Sequence, residues 1–315
     1  MLKYLISHLN KLLALFCVAF IMGCQKPKYA SSEVSPNSIV IIPDIQNYTI
    51  SENSSYLSDI VSFINFNKSN ISLILQTGDM TNNNTPNQWN NVINEYINKL
   101  PQDIPHCECL GNHDYGLDGS ANDRITNIPW DVSGGADKSW GDYNENYVIF
   151  FQIGEKEYGV MVLEFATRST TLEWARQVLE QYRHVNFFIL THAFLDAKGD
   201  MYGDYTAGPN SDHPQAYDIG SANETSSSEH IFGTLCNQYP NIQYIISGHA
   251  LPEDGYILRT INNIMGNVVT SIMVNFQHFS NGGNGNIAIL NISKKPRTFD
   301  IYSTTTNKYI IHIDL

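Results

Sequence analysis

Four short polar segments, each placed directly after a run with the character of a buried strand, constrain this chain more than any other feature. They are Pro43-Asp44-Ile45-Gln46, Gly78-Asp79, Gly111-Asn112-His113-Asp114 and Ser247-Gly248-His249. The run before the first segment, residues 38–42, is apolar and rich in β-branched side chains, which is typical of a strand covered on both faces. Because ligands in open α/β sheets bind beyond the carboxyl ends of the strands, we expect the segments to converge at one edge.

The sequence between these segments alternates strand and helix patterns. Apolar residues spaced for one helix face follow the first strand, and a second helix is predicted from Pro86 to Leu100. This βαβαβ order favours parallel strands with helices packed outside. From Tyr256 onward the sequence is strand-like. We therefore predict an α/β fold in which two sheets pack together and helices cover the outside.

Five predicted strand ends carry side chains that bind metal ions. They are Asp44 with Gln46, Asp79, Asn112 with His113, His192, and His249. Carboxylate, amide and imidazole groups suit Mn, Fe, Zn or Ni better than Cu(I) or an iron–sulfur cluster. Two ions ~3.5–4 Å apart can clamp a phosphate and lower the pKa of a bound water. Taken singly, each segment has a plainer alternative, because Gly-Asp is a common turn and a lone histidine is more often structural.

In this order, the motifs Asp-x-Gln, Gly-Asp, Gly-Asn-His-Asp, Thr-His and Gly-His resemble the calcineurin-like metallophosphoesterase superfamily, over about residues 38–292. More narrowly, the chain resembles a bacterial subgroup that opens with Pro-Asp-Thr-Gln, with which Gln88-Trp89 and Asn275-Phe276-Gln277 also agree. The resemblance implies a four-layered αββα sandwich, in which two mixed β-sheets are flanked by helices. It also implies a binuclear centre of two divalent metal ions and hydrolysis of phosphomonoesters or phosphodiesters by a metal-bound hydroxide.

The resemblance also implies a role for each metal ligand. Asp44 would bind the first metal, together with Gln46, and Asp79 would bridge both metals. The second metal would be held by three side chains, Asn112, His192 and His249. The catalytic residues would be His113, as the acid that protonates the leaving alkoxide, and Asp114, which would orient it.

Two departures from the superfamily both concern the first metal. Gln46 stands where most members have a histidine, and Leu251 stands where a second histidine follows Gly-His-x. An amide oxygen is a neutral and weaker ligand than imidazole, so we expect a weak or exchangeable first metal, and Gln277 is a candidate replacement. The same departures support an alternative, a surface lipoprotein that keeps the fold as a binding module with a degenerate first site and little activity.

Two long polar segments flank the predicted site, residues 115–145 and 194–228. Long loops in a compact domain are usually functional or mobile. Their aromatic side chains could stack on a base or a sugar, or could simply pin the loops in place. Arg168 and Arg183 are candidate phosphate contacts by charge alone, and a solvated helix face is the commoner role for such residues.

The first 37 residues have a different character from the rest. Lys3 and Lys11 precede a short apolar run that ends at Gly23-Cys24, as a secretory signal requires. Residues 21–24 resemble the lipobox of bacterial lipoproteins, which implies removal of residues 1–23 and lipidation of Cys24. A plain signal peptide and an uncleaved anchor are the alternatives. Residues 24–37 are predicted to be a tether, and residues 38–315 the metallophosphoesterase domain.

Composition limits the partners. The formal charge is −13, and without the two lysines of the leader it becomes −15. Such a surface repels a nucleic-acid polymer and anionic lipid at long range, but a bound metal can reverse the local field for a phosphorylated small molecule or headgroup. The cysteines at 107, 109 and 236 have no zinc-type spacing, and we interpret them as buried apolar residues. We expect a monomer in the cell envelope, held through an N-terminal lipid at the periplasmic face or the outer membrane.

Overall fold

Two mixed β-sheets lie at the centre of the fold in the computed structural model, which describes residues 34–50, 54–136, 138–206, 212–219 and 224–315. The strands of the described residues are β1 (Ser38–Ile42), β2 (Ile71–Gln76), β3 (His106–Glu108), β4 (Lys138–Trp140), β5 (Asn146–Ile153), β6 (Lys156–Leu163), β7 (Asn186–Thr191), β8 (Ile242–Ser247), β9 (Tyr256–Asn262), β10 (Val268–Val274), β11 (Asn286–Asn291), β12 (Thr298–Ser303) and β13 (Lys308–Asp314).

Helices and helical turns connect the strands. They are α1 (Ser54–Asn67), α2 (Pro86–Glu95), α3 (Ser169–Gln181), α4 (Ser228–Ile231), which continues as a π turn (Phe232–Cys236), α5 (Ser280–Gly283), and five 3₁₀ turns (Gln46–Tyr48, Lys68–Asn70, Ile97–Lys99, Asn112–Asp114 and Pro214–Ala216). Helix α2 begins where predicted, because Pro86 occupies its first turn and the Thr85 side chain caps the Gln88 amide. It ends earlier than predicted, since Tyr96 leaves the helical region and a 3₁₀ turn follows.

Each sheet contains a block of neighbouring parallel strands. The first sheet runs β13-β12-β11-β1-β2-β3 and the second runs β4-β5-β6-β7-β8-β10-β9. Strands β1, β2 and β3 are parallel, with β3 at the sheet edge, as are β6, β7, β8 and β10, and the remaining strands pair antiparallel. The strand-rich final part of the sequence does not form a sheet of its own, because β9 and β10 join the second sheet and β11 to β13 extend the first.

The main core lies between the two sheets. Ile39 and Ile41 of β1 join a cluster that includes Val160 and Val162 of β6 and Ile246 of β8. The alternate residues of β1 are also fully buried, on the opposite face, which explains why the β1 run is continuously apolar rather than alternating.

Helices cover the outer faces of both sheets. Leu172, Ala175 and Leu179 of α3 pack in a second cluster with Met161 and Phe187 of the second sheet. On the other side, Phe63 of α1 lies with its ring 4.5 Å from that of Tyr302 in β12. The prediction of an α/β sandwich with two mixed sheets flanked by helices is confirmed.

Strand β4 was not predicted, because it lies within the polar segment 115–145 and has only three residues. The predicted signal peptide, the lipidation site Cys24 and most of the tether lie outside the described residues. Within the part of the chain that the structure describes, no helix combines the length and apolar character needed to cross a bilayer.

Candidate metal centre

The polar segments of the sequence meet at one edge of the sandwich. Asp44, Asp79 and Asn112 follow β1, β2 and β3 of the first sheet, and His192 and His249 follow β7 and β8 of the second. All five strands are parallel within their sheets, so their carboxyl ends lie on the same side. The predicted site residues are therefore brought together across the boundary between the two sheets.

Four electron-rich atoms face one another on the side of the second sheet. Oδ1 of Asn112 lies 2.9 Å from Nδ1 of His249 and 3.1 Å from Nε2 of His192. The two imidazole nitrogens are 3.2 Å apart, and Oδ2 of Asp79 is 3.3 Å from Nε2 of His192. Donors bound at about 2.1 Å to one ion lie about 3.0 Å apart in an octahedral site and about 3.4 Å apart in a tetrahedral site, so this spacing fits a common cation.

Backbone carbonyls fix the tautomers of both histidines. Nδ1 of His192 donates to the Thr77 carbonyl at 2.8 Å, and Nε2 of His249 donates to the Asp212 carbonyl at 2.6 Å. Because a carbonyl can only accept, these outer nitrogens carry the protons and the inner nitrogens present lone pairs in the neutral rings. Two lone pairs that point at the same place require a positive charge between them.

The electrostatics of the buried groups agree with this need for a cation. Burial opposes charge on both Asp79 and His192, yet the histidines around Asp79 lower its pKa to about 2, and Asp79 and Asp44 raise the pKa of His192 to about 9. Burial and the neighbouring His192 lower the pKa of His249 to about 4. Asp44, Asp79 and His192 also offer ligand atoms that all lie within 4.8 Å of one another. In the absence of a metal, a proton on His192 takes the place that a cation would fill.

The side of the first sheet offers fewer metal-binding groups. Asp44 is buried, and its carboxylate accepts from Asn275 Nδ2 at 2.7 Å and from Thr77 Oγ1 at 3.3 Å. Burial raises the pKa of Asp44 well above its usual range. Gln46 donates its amide to Asn82 Oδ1 at 3.2 Å, while its Oε1 is buried with no hydrogen-bond partner among the described residues.

A second amide oxygen without a partner among the described residues belongs to Gln277, whose backbone contacts Asn47 and Asn275. Gln277 lines an open cleft of about 370 Å³ that Asp79, His113, His249 and Leu251 also line. Its Oε1 is buried and has no hydrogen-bond partner in the described part of the chain. Buried polar atoms are rarely left unpaired in native proteins. Carboxylate, amide and imidazole donors together fit a divalent transition metal, and a metal would satisfy an amide oxygen of this kind.

His113 lies at the edge of the cleft. Its backbone N–H donates to Asp79 Oδ1 at 2.8 Å, and its Nδ1 donates to the Asn82 carbonyl at 2.9 Å. The prediction that Asp114 orients this ring is not supported by these contacts. The Asp114 carboxylate accepts instead from the amides of Gly111, Met80 and Thr81 at 2.8–3.1 Å. Burial and Asp79 raise the pKa of Asp114 to about 6.

Two glycines of the motifs lie where no side chain would fit. Gly248 packs so closely that a Cβ there would lie 2.3 Å from Asp44 Oδ1, and a Cβ on Gly111 would lie 2.2 Å from Asp79 Oδ1. Contacts this short are not found between real atoms, so a side chain at either position would displace a carboxylate. Gly-His and Gly-Asn-His-Asp thus bring the histidines and the carboxylates into contact.

A family model described as calcineurin-like phosphoesterase matches residues 38–252. The chain belongs to this family. The family implies divalent metal ions.

Two solved structures share the fold of this phosphoesterase. One is a purple acid phosphatase from yellow lupin (Lupinus luteus) seeds, at 13% identity and a TM-score of 0.51 over 90% of this chain and 54% of the lupin chain. The other is a dimetal phosphatase from Danio rerio, at 12% identity and a TM-score of 0.52 over 88% of this chain and 99% of that chain. The phosphoesterase thus spans about half the length of the lupin enzyme. No curated protein gives a significant match.

A buried ion cluster supports the phosphoesterase site from behind. Phe165 lies with its ring 5.6 Å from that of His192 and 5.5 Å from that of His249. The preceding residue, Glu164, is fully buried and pairs with Arg168 at 2.9 Å. Arg168 is therefore held within the protein by carboxylates, whereas Arg183 is exposed and pairs with Glu180 on its own helix. Neither arginine lines the cleft.

The aromatic residues of the two long segments divide into two roles. Tyr202 and Tyr205 pack against the ring of His213 at 5.2 and 5.0 Å, and so fasten their own segment. Trp130 packs edge-on against Trp89 of α2. Tyr217 alone among these lines the cleft, where it is in position to meet a substrate.

Two asparagines contact the predicted ligands, although the sequence motifs gave neither of them a role in the site. Asn275 follows β10, a sixth parallel strand end at the same edge, and holds Asp44. Asn82 lies three residues beyond Asp79 and contacts both Gln46 and His113. The position of Asn275 directly after an apolar strand is the same signal that identified the other segments.

Proposed function

We propose that this protein hydrolyses phosphate monoesters or diesters at a centre of two divalent ions. The observation that carries the proposal is the inward-facing pair of imidazole lone pairs, 3.2 Å apart. Their outer nitrogens are committed to carbonyls, so the pair is arranged to receive a cation rather than to bond with each other.

The donors divide into two groups. Asn112, His192 and His249 would hold one ion together with Asp79, since these four side chains present atoms within 2.9–3.3 Å of a neighbour in the group. Asp79 also lies close to Asp44, so it is placed to serve both ions. When bound, such ions polarise the phosphoryl oxygens and lower the pKa of water.

The second group surrounds Asp44. Its other members would be Gln46 and Gln277, whose amide oxygens are buried and unpartnered among the described residues. Leu251, at the position where the superfamily has a histidine, lines the same cleft as Gln277, and the Gln277 amide oxygen would take over the role of that histidine. Besides the shared Asp79, this group offers one carboxylate and two neutral amides where the other group offers two imidazoles and an amide, so the first ion would be the weaker one.

His113 would be the acid of the reaction. Its Nδ1 proton is held by the Asn82 carbonyl, which leaves Nε2 as the nitrogen that can exchange a proton with the leaving-group oxygen. The backbone bond from His113 to Asp79 fixes the distance between this acid and the metal ligands. Asp114 holds the loop that carries His113 rather than the ring itself.

The proposed substrate is a phosphorylated small molecule or a headgroup, handled by a monomer. We also propose that Cys24 is lipidated and that the domain lies in the cell envelope, on the strength of the lipobox-like residues 21–24. Tyr217 is the aromatic side chain that lines the cleft, and it would contact the part of the substrate beyond the phosphate.

The test is turnover by metal-stripped protein supplied with one metal at a time. Purified full-length chain would be assayed against p-nitrophenyl phosphate and bis-p-nitrophenyl phosphate during titration with Mn, Ni, Fe(II) and Zn. We expect turnover to return with at least one metal and to rise further as a second equivalent binds. A folded protein that binds metal and hydrolyses neither compound would support the alternative of a binding module and overturn the proposal.

A further inference from the structure

The end of the sandwich opposite the metal centre has a basic groove. It has a volume of about 750 Å³ and lies where β6, β8 and β10 begin and where the loop from β11 to β12 turns. The charged side chains of its lining are Lys156, Lys294, Lys295, Arg297 and Glu155, a net charge of +3. The whole chain has a formal charge of −13, so this groove is a local reversal of the protein's charge.

These basic groups are available to a ligand. None of the ion pairs found among the described residues involves Lys156, Lys294 or Lys295. Arg297 donates to the Tyr244 hydroxyl at 2.8 Å and lies over its ring at 5.8 Å. Uncompensated basic side chains that surround one groove attract anionic partners.

An apolar loop tip stands beside the groove. Between β9 and β10, Ile264 is 80% exposed, Met265 is 49% exposed and Val268, which also lines the groove, is 54% exposed. The tip is firmly built, because buried Asn263 accepts from the amides of Met265 and Asn267 and donates to the Cys236 carbonyl. A fixed loop that presents large aliphatic side chains to solvent is typical of a surface that meets another apolar phase.

The chain enters the domain at this same end. Asn291, at the end of β11, donates to the Pro36 carbonyl at 2.9 Å, and Asn70 donates to the Val34 carbonyl at 2.9 Å. The groove-lining residues 292–297 follow Asn291 directly. The residues that precede Val34 in the sequence include Lys26 and Lys28, close to Cys24.

We propose that this end of the domain docks on the anionic surface of a phospholipid bilayer. The lysines and Arg297 would contact phosphate headgroups, while Ile264 and Met265 would enter the boundary between headgroups and acyl chains. Basic charge, exposed aliphatic side chains and the entry point of the chain are three separate observations that coincide on one face. Basic charge alone would attract any anion, and an apolar tip alone would fit any apolar surface, whereas the two together fit a phospholipid bilayer.

The docked orientation has a consequence for the substrate. The metal centre lies at the carboxyl ends of the strands, and six residues of β7 separate the two ends by about 20 Å. The cleft therefore opens away from the bilayer on which the domain rests. In this orientation the substrate is a water-soluble phosphoester rather than a headgroup of that same bilayer. This narrower substrate class rests on the proposed function.

The test is a measurement of which end of the protein touches lipid. Full-length chain with Ile264→Cys would carry an environment-sensitive fluorophore and be reconstituted into vesicles of phosphatidylcholine alone or with phosphatidylglycerol, with a lipid-borne quencher. The three other described cysteines are buried, and unsubstituted protein put through the same labelling gives the background. Leu117 is 78% exposed and lies shortly after the turn Asn112–Asp114. A matched label at Leu117→Cys therefore reports the end of the domain that holds the metal centre.

We expect the label at 264 to be quenched in anionic vesicles and the label at 117 to stay aqueous. Each basic side chain near an anionic surface contributes about fivefold to the docking equilibrium, so K156Q/K294Q/K295Q should lower the docked-to-undocked ratio by roughly 100-fold. These lysines are remote from the metal centre, so phosphoesterase turnover by the triple variant verifies its fold. Equal quenching at 264 in both kinds of vesicle, or unchanged docking of a folded triple variant, would overturn the proposal. If the unsubstituted protein shows no phosphoesterase turnover, the result counts against the proposed function and not against the docking surface.

Discussion

The two halves of the metal centre are built differently, although they share Asp79. On the side of the second sheet, two imidazoles and an amide oxygen converge within 2.9–3.2 Å, and both rings are locked by backbone carbonyls. On the side of the first sheet, Asp44 is held by Asn275 and Thr77, and the Gln46 oxygen is buried without a partner in the described chain, as is that of Gln277 beyond β10.

The difference shows that the same edge of the sandwich can hold one metal site with fixed ligands and a second site with weaker, less constrained ligands. Preorganised donors bind tightly because little order must be imposed when the ion arrives. A neutral amide oxygen adds less electrostatic attraction than a carboxylate and is a weaker ligand than imidazole. We therefore expect the first ion to exchange readily and the second to stay bound.

The largest effect is expected at the residue that both halves share. Asp79→Asn removes the negative charge that lies beside both His192 and Asp44. Both ions should bind poorly, and turnover should fall by more than about 1000-fold, since metal polarisation contributes several kcal/mol to such reactions. Metal content by mass spectrometry, together with turnover, checks this. Asp118→Asn, at an exposed aspartate, is the matched control, and equal losses in the two variants would contradict a special role for Asp79.

His113→Gln separates proton transfer from metal binding. General acid catalysis contributes about 10²- to 10⁴-fold, so turnover should fall by about 100-fold or more while both ions are retained. The loss should be smaller for p-nitrophenyl substrates than for alkyl phosphates, because nitrophenolate leaves without protonation. His184→Gln, at an exposed histidine of the other end, should change nothing. Release of metal by His113→Gln would move this residue from the acid role to the ligand set.

The pH dependence of metal binding distinguishes the two halves further. In the metal-free protein, burial opposes protonation of His192, but Asp79 and Asp44 raise its pKa to about 9. A metal must displace that proton, so the apparent affinity of the tight site should rise about tenfold per pH unit up to pH 9. His249, whose pKa is lowered to about 4, adds no dependence in this range. Titrations at pH 7, 8 and 9 with a chelator of known affinity measure the slope, and a flat profile would refute the assignment.

The smallest effect is expected from the unpartnered amides. Gln277→Leu should weaken the first ion by about threefold to tenfold and leave the second unchanged, because one neutral ligand is lost from the looser set. Gln277→Glu, which adds a charge at the same place, should tighten the first ion instead. Calorimetric titration with Mn checks both. If neither variant changes the weaker affinity, Gln277 is a surface residue of the cleft and not a ligand.

The chemistry-bearing residues could be predicted because they share one signal, a polar group directly after a buried strand. Asp44, Asp79, Asn112, His192 and His249 all satisfy it, and parallel strands deliver their ends to one edge. The two-sheet architecture followed from the same alternation, and only the short strand β4 was missed. A local sequence pattern is sufficient to predict these site residues, because the parallel topology brings the strand ends together.

The supporting contacts could not be predicted in this way. Asn275 holds Asp44 across 231 positions of sequence, and although it follows a strand like the metal ligands, nothing local tells that its partner is Asp44. Asp114 illustrates the opposite error, because its proximity in sequence to His113 suggested a contact. The 3₁₀ turn Asn112–Asp114 directs its carboxylate back to the amides of Gly111 and the Gly-Asp loop instead. Partners of this kind depend on the tertiary path of the chain.

An equilibrium titration of the metal-free protein with Mn(II), with bound and free metal distinguished by electron paramagnetic resonance, tests the central claim most directly. We predict two ions of unequal affinity in the unsubstituted chain. His249→Ala should abolish the tighter class, and Asp44→Asn should abolish the weaker class while the tighter one persists. Two ions of equal affinity, or loss of the tighter class in Asp44→Asn, would contradict a phosphoesterase centre with one rigid and one loose site.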